Sequence, residues 1–144
     1  MMDDERGSAL VEFIALGVGV LVPLVYVVLA AAAVQSGVYA STQAVREAGR
    51  AFVTSADPRQ AQERALVAAR LSFDDFGIVL PSDALTITCS GGPCLSPGSA
   101  VSVDLDWSVA LPWLPDSLAG VAPTLIPVRA HHRVPVDDYR GSPV

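Results

Sequence analysis

Glu12 asks for chemistry more than any other residue in this chain. It stands at the mouth of an uncharged run from Phe13 to Val34. An unpaired carboxylate is costly to take out of water, so one placed there needs a partner of opposite charge. Gly7 lies five residues earlier, behind Arg6. The other reactive side chains come late: Cys89 and Cys94 around Ser90-Gly91-Gly92-Pro93, the pair His131-His132, and Asp104 and Asp106 with Arg129 and Arg133.

The cysteine spacing, with turn residues between, fits a disulfide closing a tight loop. A zinc site wants four ligands, and no second pair exists. Two reduced thiols are the alternative; a disulfide would imply an oxidising compartment outside the cytoplasm. His131 and His132 are adjacent, so on a strand they face opposite sides and cannot chelate one metal together. Arg129 and Arg133 are expected to pair across strands with Asp104 and Asp106. A calcium site at those aspartates lacks the spaced ligand loop that calcium favours, so no metal or other cofactor is expected. No serine sits in a nucleophile elbow, and there is no phosphate loop, dinucleotide fingerprint or HExxH, so the chain does not read as an enzyme.

Several elements position these residues. The uncharged run from Phe13 to Val34 is twenty-two residues long. At about 1.5 Å per residue, it reaches roughly the ~30 Å of a bilayer core. The apolar helix is expected to start near Ala9, with Pro23 kinking it or loosening a turn. Gly17 and Gly19 would allow close helix contact or mark ordinary membrane tolerance for small residues. The helix should continue outward, with Ala44, Val45, Ala48 and Phe52 on one face and Arg46, Glu47 and Arg50 facing water. Asp57-Pro58 stops it and starts a second helix to about Phe73, with Leu66, Ala69 and Phe73 inward.

From Ala84 the period changes to two. Leu85, Ile87 and Cys89 alternate with threonines, and Val101, Val103, Leu105, Trp107, Val109 and Leu111 form a half-buried strand. After a loop to Pro123, a third strand from Thr124 to Val136 carries Pro127 and Pro135 at one parity, which marks an edge. Asp137 to Val144 reads as a tail. The fold class is therefore α+β: a long membrane-spanning helix, a second helix, and an antiparallel sheet of about three strands with a short disulfide loop. The division is 1–7, 8–56 for the helix with its extension, and 57–144 for a small outer domain.

The wording Gly7-Ser8-Ala9-Leu10-Val11-Glu12-Phe13 resembles the class III signal of type IV pilins, and most closely the TadE-like minor pilins (pseudopilins) of tight-adherence pili. The close likeness covers roughly the first fifty residues. It implies a leader, residues 1–7, removed by a prepilin peptidase between Gly7 and Ser8. Glu12 then becomes the fifth mature residue and pairs with the α-amine of Ser8 on a neighbouring subunit. The implied partners are that peptidase, the major pilin and other pseudopilins, a membrane assembly platform and the lipid bilayer. Many pilins have phenylalanine where Ser8 stands, and their leaders are commonly basic; this one is acidic.

The formal net charge is −6, of which Asp3, Asp4, Glu5 and Arg6 contribute −2. No lysine occurs. An acidic chain without basic clusters excludes a nucleic-acid surface. Arginine counts on either side of the helix are near even and do not orient it. Processing at Gly7 and the cysteine pair both place the N-terminus in the cytoplasm and the C-terminus outside. The rival readings are an unprocessed single-pass membrane anchor bearing a binding module, and a secreted or anchored hydrolase.

Overall fold

A computed structural model of the protein describes residues 4–112 and 124–139, with side chains from Ala9 onward. Met1–Asp3, most of the loop to Pro123 and the end of the tail lie outside the described residues. The chain is α+β, with helices α1 (Asp4–Val53) and α2 (Pro58–Asp74) and strands β1 (Leu85–Ser90), β2 (Ala100–Ala110) and β3 (Leu125–Pro135). The first helix, α1, has 50 residues. A helix of that size is about 75 Å long, at a rise of about 1.5 Å per residue. It starts at Asp4, five residues before the expected Ala9. Asp4 and Glu5 belong to residue types that the helix macrodipole favours in a first turn. The helix also runs unbroken through Pro23. Only the carbonyl of Gly19, four residues back, loses its donor there. Open space surrounds that glycine.

The two halves of α1 differ in what covers them. From Ala9 to Val25 every residue is exposed, and one window of the helix is long and apolar enough to cross a membrane. From Gly37 onward a stripe of small residues is buried: Ala40, Ser41, Ala44, Ala48 and Gly49, with Val45 and Phe52 beside it. Arg46, Glu47 and Arg50 point to water.

Asp57 starts α2 by accepting the Gln60 amide at 3.2 Å, with Pro58 in the first turn. A carboxylate cap followed by proline satisfies or removes amides that the first turn leaves without partners. The helix folds back along α1 and buries Ala61, Ala65, Ala69 and Phe73, spaced by four. Leu66, expected inward, lies only partly buried at the border of this alanine ladder. Two facing rows of alanine let the helix backbones approach closely. At the end of α2, Gly77 takes φ +67°, Gly77 N–H donates to Asp74 O and Ile78 N–H to Phe73 O. This pair of bonds is a Schellman closure, which favours a residue free of Cβ at the left-handed position.

The sheet is antiparallel in the order β1-β2-β3. Val101, Val103, Leu105, Trp107 and Val109 of β2 turn toward the helices as the period of two predicts, and all but the half-buried Trp107 are buried. The amide of Leu111 donates to Thr124 O and that of Val136 to Ser99 O, so odd positions of β2 pair with even positions of β3. Pro127 and Pro135 then fall at the intervening positions. A strand amide there points to the free edge, where a missing donor is tolerated.

The helix α1 crosses the inner face of β2 and β3. A β-carbon on Gly37 would lie 2.5 Å from Val109 Cγ2, and one on Gly49 2.7 Å from Val134 Cγ2. Both glycines are therefore required by close approach to the sheet. Substituting Gly37→Leu or Gly49→Val should lower the stability of the head, the packed unit of α1 from Gly37 onward, α2 and the sheet, by about 1–3 kcal/mol through overpacking. Gly17→Ala and Gly19→Ala, which meet nothing within 4 Å, should leave it unchanged. Denaturant unfolding of the full chain in detergent, followed by tryptophan fluorescence, checks both halves of this expectation.

Candidate functional site

Three regions hold most of the residues that sequence singles out: the open end of α1, the β1–β2 connection with its disulfide, and the outer face of the sheet. At the open end, the Gly7–Ser8 bond lies within the helical backbone of α1. Glu12 follows Ser8 by four residues, which on a helix puts them on one face, one turn apart. Glu12 is exposed, and among the described residues it has no hydrogen-bond or ion-pair partner. Leu10, Val11, Phe13 and Ile14 around it are exposed as well, Phe13 by 75 %. An exposed carboxylate in that position can accept a cation brought by another molecule.

The Cys89–Cys94 disulfide is formed, with the Cα atoms 5.4 Å apart. It ties the end of β1 to the connection leading into β2. Positive φ at Gly91, Gly92, Leu95 and Gly98 folds that connection, and Leu95 is buried beneath it. Ser99 Oγ donates to Ser96 O at 2.7 Å, and Ser96 Oγ to Pro93 O at 2.7 Å. The turn's backbone is thus held by side chains where no ladder reaches.

On the outer face, Arg129 Nε donates to Asp106 Oδ2 at 2.8 Å, one of the two expected arginine pairs. The other differs. Asp104 stands opposite His131 and meets its Nδ1 at 2.7 Å, while Arg133, opposite Ser102, donates to Ser90 Oγ at 3.2 Å. The cross-strand register decides this: Arg133 is two positions from the nearest aspartate partner. His132 turns inward beside Gly49, on the face opposite His131. Both acid–base pairs are more than half exposed. Water screens such pairs, and they contribute little. Among the described residues no three of His, Cys, Asp and Glu come together as a metal site would require.

Sequence reasoning missed the contact that joins the helices to the sheet. Trp107 Nε1 donates to Ser41 Oγ at 2.8 Å, and Ser41 Oγ donates to Gly37 O at 2.7 Å. The Phe73 ring meets the Trp107 ring edge-on at 5.0 Å between centroids, an arrangement that the ring quadrupoles favour. The available signal is an inward tryptophan whose N–H needs an acceptor, and a lone serine in a stripe of alanine and glycine. No protein-family model, curated protein or solved structure matches this chain.

Replacing Ser41 with alanine strands the indole donor of Trp107 and should cost about 1–3 kcal/mol. A Cys89→Ser/Cys94→Ser chain should lose about 2 kcal/mol, since a loop this short restricts the unfolded chain only modestly. Unfolding midpoints of the two variants against the parent chain give both numbers.

Proposed function

We propose that this protein is a TadE-like minor pilin that takes part in assembling a tight-adherence pilus. The observation that carries the reading is the open end of α1. There Gly7, Ser8 and Glu12 stand at offsets that suit a prepilin peptidase site and the mature chain's fifth-residue carboxylate. They precede an apolar helix whose residues are all exposed from Ala9 to Val25. Such a surface has to be covered by lipid, by other helices, or by each in turn.

In this reading the precursor sits in the membrane with Gly7 on the cytoplasmic side and the disulfide-bearing head outside. The peptidase cuts after Gly7 and frees the α-amine of Ser8. The amine and Glu12 then carry opposite charges in a low-dielectric surrounding, where each is expensive alone and their attraction is strong. Pairing between neighbouring subunits fixes the axial register of packed helices. Because α1 is helical through Gly7–Ser8, the peptidase must open a turn before it can cut. Gly7 lowers the cost of that opening, being about 1 kcal/mol less favourable than alanine in a helix interior. The assembly platform, the major pilin and another pseudopilin would then draw the uncovered half of α1 from lipid into a bundle.

Intact mass and N-terminal residue, measured on the protein from its own cells with and without the prepilin peptidase, test this. A chain starting at Ser8 only when the peptidase is present is expected. Retention of residues 2–7 in both strains would sink the pilin reading and leave an unprocessed membrane-anchored module. Glu12→Ala should leave cleavage intact and abolish incorporation into pili.

A further inference from the structure

The head has two unlike ends. Its far end carries the Cys89–Cys94 loop and the turns at Gly91 and Gly98. Its near end, where α1 enters, is apolar. A groove of about 570 Å³ there is lined by Ala33 and Ser36 of α1, by Ile78, Val79 and Pro81 of the α2–β1 connection, and by Trp107. Val79 is 84 % exposed. Leu125, opposite Ala110 at the same end of the sheet, is 56 % exposed. Apolar side chains of this size favour cover over water, so water is a poor neighbour for the set.

The level of the groove along α1 identifies its occupant. Ala33 is twenty-one residues beyond Glu12. At about 1.5 Å per residue that separation is roughly 31 Å, against a hydrocarbon thickness of ~30 Å. With Glu12 at one boundary of the bilayer, Ala33 reaches the other. The groove, Val79 and Leu125 then lie at the same boundary.

We infer that the near end of the head, through Ile78–Val79 and Leu125, rests in the headgroup–acyl boundary of the outer leaflet as a second membrane contact besides the helix. This rests on the reading that α1 spans the bilayer. Asp74 and Asp75 are exposed at the end of α2 beside the patch. Their charge favours zwitterionic over anionic lipid. The contact holds the head upright on the membrane while α1 remains in lipid, and it breaks when the helix is withdrawn.

The full chain, in phosphatidylcholine nanodiscs with its native disulfide oxidised, carries a nitroxide at Val79→Cys, Val20→Cys or Gln62→Cys in turn. All three positions are exposed, so substitution there spares the core. Collisions with oxygen and with an aqueous nickel chelate are measured. Labels at positions 20 and 79 should collide with oxygen and be shielded from nickel, and the label at 62 should do the reverse. A lipid-exposed label at 20 with a water-exposed label at 79 overturns this inference and leaves the spanning helix standing. A water-exposed label at 20 overturns the spanning helix, and the inference with it. A label at 79 shielded from both reagents means protein cover, such as a second copy of the chain, and also overturns it.

Discussion

A helix that continues from an uncovered apolar stretch into a protein core must keep its backbone and change its side chains. In α1 the change occurs around Gly37. Before it stand leucine, valine and phenylalanine, which suit an apolar surrounding on all sides. After it one stripe shrinks to alanine, serine and glycine, and charge appears on the opposite face. The small stripe lets both α2 and the sheet reach the same helix. Larger residues would hold the layers apart and leave gaps that the short side chains of α2 could not fill.

Trp107 is where the three layers meet. Its ring packs on Phe73 of α2, its N–H reaches Ser41 of α1, and its backbone belongs to the central strand. A hydroxyl in the middle of a helix can bond back to the carbonyl four residues earlier. Ser41 does so and adds no unsatisfied group of its own. Joined this way, the head is fixed in rotation about α1. The near and far ends of the head therefore keep a set relation to the helix axis, with the disulfide loop away from the apolar stretch.

Electrostatics divides the molecule in a similar way. The Arg129–Asp106 ion pair and the His131–Asp104 contact lie on solvent-facing surfaces, where such pairs are weak. Glu12 differs, because its neighbours along the helix are exposed apolar side chains. Its energetics depend on what surrounds the helix, and so does any work it does.

Much of this is legible in the residues because the periods are strong. An uncharged run of membrane length, two alternating strands, Asp57-Pro58 and the short cysteine loop each follow from local chemistry. Prolines at one parity locate the edge strand without any knowledge of its pairing. Helix start, strand register and long-range contacts are not legible. The start at Asp4 depends on cooperative propagation from a long helix into residues that would not form one alone. Arg133 finds Ser90 in place of an aspartate because antiparallel register fixes which residues face each other across β1, β2 and β3. The Ser41–Trp107 bond joins residues 66 positions apart. Local periodicity sets which way a side chain faces, and only the packed layers determine what it meets.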